Sequence, residues 1–190
     1  MDMEAKSFLI DSFREVVKSI HSSLDLHEVL RSLVTKVVEV MKVKGCSLYL
    51  LDRGRRRLEL VATQGLSDRY LLKGPVDADR SIAETMEGKT VWIPDASQDP
   101  RVQYRDEAKE EGIVGILSLP LTVGGQVIGA LRLYSSEPRS FSPEEIGFLK
   151  SLSEMGAIAI ENAKKYETIR KDYEFVVKDL YHFYGYRRSL

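Results

Sequence analysis

From Gly112 to Leu131 the chain runs 20 residues without a charge, about the length at which an apolar segment could cross a bilayer. Pro120, Gly124, Gly125 and Gln126 fall in its middle. Gly-Gly between two apolar runs signals a two-residue β-hairpin, not a continuous helix. The segment therefore predicts two buried strands, Ile113 to Leu121 and Gln126 to Tyr134, and no membrane span.

The flanking sequence supplies elements for this hairpin to pack with. Leu9, Phe13, Val16 and Ile20 recur at helical spacing and mark one stripe of a first helix. Asp25 caps a second helix, with Glu28 three residues on and an apolar face of Val29, Leu30, Leu33, Val34, Val37 and Met41; Gly45 ends it. Cys46 to Leu51 and Leu58 to Thr63 are β-prone runs joined by a polar, glycine-containing loop. Leu66 to Arg80 shows no clean period and contains Gly74 and Pro75, so it is predicted as a long loop of the kind that often forms a binding lid. Ser81 and Glu84 predict a capping box for a short helix ending at Gly88. Val91 to Ile93 is a short strand, and Asp99-Pro100 predicts another helix ending near Gly112.

Ser142-Pro143-Glu144-Glu145 combines an N-cap, a proline at the first helical position and a glutamate at the third, and little interrupts the helix it opens before Gly185. Its first half carries Ile146, Leu149, Leu152, Met155, Ala159 and Ala163 for packing on a sheet. In its second half Tyr166, Ile169, Tyr173, Val176, Leu180 and Phe183 step alternately by three and four, a heptad stripe that needs a partner. The fold class is α+β with a central antiparallel sheet. The organisation reads as an N-terminal helix (1–23), one domain (24–166) and a helical extension (167–190).

Several function classes are excluded or disfavoured. The 28 basic and 29 acidic residues nearly cancel, so no whole-molecule field recruits nucleic acid or a membrane surface. The Arg53 to Arg57 cluster has no interleaved aromatic and reads as a solvated hairpin tip. Cys46 is the only cysteine, which rules out an internal disulfide and predicts a cytoplasmic chain. The histidines are His21, His27 and His182, with none between positions 28 and 181, so a zinc site or a histidine acid/base in a pocket is not expected. Asp95 and Asp99 read as caps of a turn and a helix.

Three segments in register resemble the GAF family of sensory domains: the hairpin ILSLPLTVGGQVIGALRLY (Ile116 to Tyr134), the closing helix FSPEEIGFLKSLSEMGAIAIENAKKYE (Phe141 to Glu167) and the strand-turn WIPDASQDPR (Trp92 to Arg101). The resemblance implies a profilin- or PAS-related sheet of five to six strands, terminal helices on one face and a ligand cavity under lid helices on the other. It implies a non-catalytic sensory module of bacterial signal transduction. Chemistry known on this fold meets obstacles here. Haem ligation needs a histidine in the pocket, and none lies between positions 28 and 181. Free methionine sulfoxide reduction needs a second cysteine, and bilin attachment needs one near the lid. The cyclic-nucleotide signature needs an asparagine, and Asn162 on the closing helix is the only one. No cofactor is expected.

On that frame Tyr70, Ser81, Ile82, Trp92, Tyr104 and Ser118 are the candidate ligand-binding residues. Arg69, Arg80, Arg101 and Arg105 crowd the lid and lean the ligand toward an anion. Gly129 is expected to let the closing helix approach the sheet at Gly156, Ala157 and Ala159. Phe13, Val16, Ile20, Tyr166, Ile169, Tyr173, Val176 and Leu180 are the candidate dimerisation residues. The expected partners are a second copy of the chain, an unidentified small molecule, and an output domain or kinase. A ligand-free dimerisation scaffold and a GAF-fold enzyme are the alternatives.

Overall fold

A computed structural model describes residues 10–18, 25–52, 54, 57–80 and 82–186, with the side chains of 167 and 178–186 outside the description. Helix α1 covers residues 10–18, and α2 is Leu26–Met41. The strands are β1 (Gly45–Asp52), β2 (Arg57–Gln64), β3 (Val76–Asp77), β4 (Val91–Ile93), β5 (Gly115–Val123) and β6 (Gln126–Ser135). Three short helices, α3 (Asp68–Leu71), α4 (Ala83–Met86) and α5 (Arg105–Glu110), lie between them, and α6 runs unbroken over Pro143–Tyr186.

The six strands form one sheet in the order β3-β2-β1-β6-β5-β4, and every pairing is antiparallel. The predicted hairpin is its centre. Gly124 and Gly125 both have positive φ, +55° and +78°, as a type I′ turn demands of its two central residues.

Side-chain alternation along β5 and β6 splits the sheet into two faces. Leu117, Leu119, Leu121, Leu131 and Leu133 point to one, where they join Leu30, Leu33, Val34 and Val37 of α2 and Leu149, Leu152, Ala157 and Ile160 of α6 in a single core. The other face carries two smaller clusters. Tyr70, Ile93, Ile116 and Tyr134 belong to one, and Tyr49, Leu58, Val76, Ile82 and Ala130 to the other.

Capping fixes the long helices. Asp25 Oδ1 accepts from His27 N at 2.8 Å. Ser142 and Glu145 form a reciprocal capping box, Glu145 Oε2 accepting from Ser142 N at 2.8 Å and Ser142 Oγ from Glu145 N at 3.2 Å. Arg139 then joins the two helices by donating to the Met41 carbonyl and pairing with Glu145.

Three local expectations are corrected. Helix α2 ends at Met41 through Lys42 in the left-handed region, φ 50°, and Gly45 opens β1 instead of stopping the helix. The segment 66–80 contains α3 and β3, and Ser67 caps α3 by accepting from Tyr70 N. No helix opens at Asp99: its carboxylate accepts from Arg101 N and from the Arg101 guanidinium, closing a turn, and α5 begins only at Arg105. The capping box expected of Ser81 and Glu84 involves Ser81, which lies outside the described residues; Glu84 also pairs with Arg101 at 3.1 Å, and the cap position of α4 is Ile82.

Gly129 also works differently from its expected role. A Cβ there would strike the carbonyl oxygen of Tyr49 on β1, so this glycine accommodates the neighbouring strand. Gly156, by contrast, faces Leu33 of α2, whose Cδ1 would lie 3.1 Å from an added Cβ.

Candidate functional site

The lid face is assembled by pairing across strands. Arg132 of β6 sits opposite Ser47 of β1 and Ser118 of β5, and Ser118 in turn opposes Val91 of β4. Leu131 and Leu133, its neighbours in sequence, point to the helical core, so alternation turns Arg132 to the lid. It lies between Ala130, which belongs to one lid-face cluster, and Tyr134, which belongs to the other. The residue is 3% exposed, and its guanidinium lies 5.7 Å from the Tyr134 ring centroid. Burial alone would depress its pKa, but the Tyr134, Tyr70 and Tyr49 phenols around it push it up.

The lid itself is held by ordinary polar contacts. Tyr104 Oη donates to the Pro75 carbonyl at 2.8 Å, and Gln103 Oε1 accepts from Asp77 N at 3.0 Å. Glu111 accepts from both the backbone and the hydroxyl of Ser67, and Lys44 approaches it at 3.6 Å. Lys73 Nζ donates to the Tyr70 carbonyl at 3.0 Å and lies 3.7 Å from the centroid of the Tyr70 ring. That ring meets Tyr134 edge-on at 5.9 Å.

Of the sequence candidates, Tyr70, Ile82 and Ser118 are buried on this face. Tyr104 is at its rim, and Ser81 lies outside the described residues. Trp92 is on the opposite face: it packs in the helical core and meets Phe141 edge-on at 5.2 Å. The strand's alternation explains this, since Ile93 takes the lid side and Trp92 must take the other. Two of the four lid arginines are already paired. Arg101 is held by Asp99 and Glu84, and Arg69 pairs with Glu110. The buried cation of the face is Arg132, which sequence reasoning passed over. Its signal was a lone charge inside the apolar run IGALRLY.

Beneath α4 and β4 a cavity of about 40 Å³ is lined by residues including Ile82, Val91, Ile93 and Arg101. Drug-sized ligands occupy roughly 300 to 1,000 Å³, so this conformation has room there only for a few atoms. A more open, polar depression of about 290 Å³ lies beyond the end of β6, between Lys42 and Ser135 to Arg139.

Cys46 is fully buried in the helical core, and burial pushes its thiol well above the ordinary range, the opposite of what a reactive thiolate requires. Among the described residues no group of three His, Cys, Asp or Glu side chains could hold a metal ion, and no helix is long and apolar enough to cross a membrane.

Burial, and after it the Arg132 charge, lowers the Lys73 pKa from 10.5 to about 8, with Glu107 and Glu111 opposing. Between about pH 8 and 10.5 the unfolded chain then holds more protons than the folded one, so this group's contribution to stability is complete above that window and lost as pH falls through 8. Lys73→Met should therefore stabilise the protein at pH 7 by on the order of 1 kcal/mol, with the gain disappearing near pH 10. Urea midpoints at the two pH values check this, and equal gains at both would show that the charge is not the cause.

The architecture has well-defined relatives. A model of the GAF domain matches residues 23–161, and the chain belongs to the GAF domain family. It is 30% identical over 153 residues to the phosphoenolpyruvate-dependent phosphotransferase system protein of Escherichia coli K12, covering 79% of this chain and 20% of that one. It is 28% identical over 170 residues to the methyl sulfide methyltransferase-associated sensor of Methanosarcina acetivorans, covering 86% and 17%. The chain thus spans about a fifth of the length of these curated relatives.

Among solved structures, the GAF domain of an Acinetobacter phosphoenolpyruvate-protein phosphotransferase superposes with a TM-score of 0.72 at 26% identity, covering 84% of this chain and 97% of that one. The free methionine-R-sulfoxide reductase of Neisseria meningitidis shares the fold, with a TM-score of 0.71 at 17% identity over 87% and 95% of the two chains. GAF domains of this kind occur in signal-transduction and regulatory proteins.

Proposed function

We propose that the chain is a non-catalytic regulatory GAF module that binds a small molecule on the lid face and pairs with a second copy through its terminal helices. One observation carries the reading. The same unbroken α6 that anchors the core through Leu149, Leu152 and Ile160 presents Tyr166, Ile169, Tyr173 and Val176, each more than half exposed, along its second half. A single-chain helix has no reason to keep such a stripe in water, whereas two copies packed along it bury it. A ligand that favoured one lid arrangement would shift the helix pair through its differential affinity for the two states. Regulatory relatives support a sensory role, and an output domain or kinase is the expected recipient of the signal.

The remaining sequence candidates for pairing divide. Phe13 is half-buried and Val16 is 1% exposed within its own chain, against α2, so they support α1 from inside. Ile20 and the Leu180 side chain lie outside the described residues. The seam therefore centres on the exposed α6 positions. A ligand-free scaffold is the second reading, favoured by the small size of the lid cavity. Catalysis of the methionine sulfoxide reductase type is disfavoured by the burial of Cys46, the only cysteine.

Sedimentation equilibrium tests the pairing. A dimer is expected at low micromolar concentration, and Ile169→Glu with Val176→Glu should weaken it about 1,000-fold or more, since each buried apolar anchor is worth roughly 2 kcal/mol or more. A wild-type chain that stays monomeric at high micromolar concentration removes the mechanism. Thermal shift against metabolite mixtures separates sensor from scaffold, because a ligand bound only to the folded state must raise the melting temperature.

A further inference from the structure

Residues 66–73 form a strap bracketed by two glycines with positive φ, Gly65 at +79° and Gly74 at +123°. Both flanks are fixed. Before the strap, β2 ends at Gln64, and Gly65 lies so close to the entry of β1 that an added Cβ would strike the Lys44 carbonyl oxygen. After it, Gln103 and Tyr104 both donate to the Pro75 carbonyl, and Gln103 also accepts from Asp77 N. Between these points lies α3, which is locally complete: Ser67 caps it, and Leu71 N and Leu72 N donate back to the Ser67 and Asp68 carbonyls.

Two side chains do most of the anchoring. Tyr70 is the one buried residue of the strap, set among Ile93, Ile116 and Tyr134 and meeting the last edge-on at 5.9 Å. Leu66, beside the first glycine, packs partly against the same cluster, and Leu72 points into solvent. On the polar side, Glu111 at the end of α5 accepts from Ser67 N at 3.1 Å and from the Ser67 hydroxyl, with its own side chain only 9% exposed. The Arg69–Glu110 pair is exposed, and such pairs contribute little. A segment held by so few buried contacts opens far more readily than the domain unfolds.

We propose that this strap is a self-contained lid, hinged at Gly65 and Gly74, plugged by Tyr70 and latched by Glu111, which opens while the sheet stays folded. The inference rests on the ligand-binding reading above and names how a small molecule reaches the lid face. Latch and plug sit on different elements, Glu111 on α5 and Tyr70 on α3, so opening releases both together. Withdrawal of the Tyr70 ring uncovers Ile93, Ile116 and Tyr134, a slot already shaped around a phenol.

Hydrogen exchange of the full chain tests this, read at the amides of Tyr70, Leu71 and Leu72 and at those of the β5–β6 hairpin. Sub-denaturing urea should accelerate the hairpin but hardly the strap, because the urea response scales with the surface an opening exposes. Leu33→Ala weakens the helical core, which stays intact when the strap opens, so it should speed the hairpin and leave the strap unchanged. Glu111→Ala should speed the strap about 10- to 100-fold, the loss of hydrogen bonds to a charged group. Tyr70→Ala should speed its remaining amides at least as much, whereas Glu110→Ala should leave them unchanged.

Strap amides that follow the hairpin in urea, or in Leu33→Ala, overturn the separate opening. A strap that does not respond to Glu111→Ala overturns the latch, and one that does not respond to Tyr70→Ala overturns the plug. If the exchange behaves as expected while metabolite mixtures leave the melting temperature unchanged, the lid stands and the sensing reading falls separately.

Discussion

Gly129→Ala is expected to destabilise the protein by about 3 kcal/mol or more, at the upper end of what overpacking costs. The reason is a fixed obstacle. The added Cβ meets the carbonyl oxygen of Tyr49, and Leu121 Cδ1 stands 3.2 Å away on another side. A side chain could rotate aside, but the Tyr49 carbonyl belongs to a strand paired on both edges. Relief would require β1 and β6 to separate where the sheet is most buried. Gly147 provides the contrast. It lies in α6 with nothing within 4 Å of an added Cβ, so Gly147→Ala should stabilise by about 0.5 to 1 kcal/mol through helix propensity alone. Chemical denaturation of both variants measures the difference. A neutral Gly129→Ala would mean that the strands do not pair as described.

Leu33→Ala is expected to cost about 2 to 5 kcal/mol, the range for emptying a buried leucine site. Leu33 is 0% exposed and packs where α2 meets Gly156 of α6. The two positions should therefore couple. Gly156→Ala alone brings a methyl to 3.1 Å from Leu33 Cδ1, a contact that a slight shift of a flexible side chain tolerates. Combined with Leu33→Ala it would partly fill the cavity and add a better helix former. The double variant should then be more stable than the sum of the single effects by about 0.5 kcal/mol or more. Strict additivity would place the two residues out of contact.

Much of the fold was legible because its signals are local. Ser142-Pro143-Glu144-Glu145 carries its own capping chemistry, and Gly124-Gly125 its own turn. The face of α2 was read from spacing alone, and all six of its predicted apolar residues are buried. Failures occurred where a local signal had a competitor. Asp99 had the sequence of a helix cap, but Arg101, two residues on, offered its carboxylate three donors and closed a turn. There a charge-assisted bond displaced a weaker backbone preference.

The candidate site was less legible for a geometric reason. In a strand the side chains alternate, so a sequence shows which residues share a face but not which face it is. Trp92 looked like a ligand platform because it is large, flat and near the lid in sequence. Pairing β4 to β5 in its actual register put Ile93 under the lid and Trp92 against Phe141. The same alternation placed Arg132 inside, surrounded by tyrosines from β1, β6 and the lid segment, although these lie far apart along the chain.

The sequence by itself determined that the chain builds an antiparallel sheet around a glycine-turned hairpin and closes it with one long helix. Those features depend on periodicity, turn residues and caps, which act over a few positions. Only the tertiary structure decided which face receives the terminal helices, and that the buried Arg132 meets Tyr49, Tyr70 and Tyr134 on the other. Strand register and order fix those distances, and both are set by contacts between residues far apart in sequence.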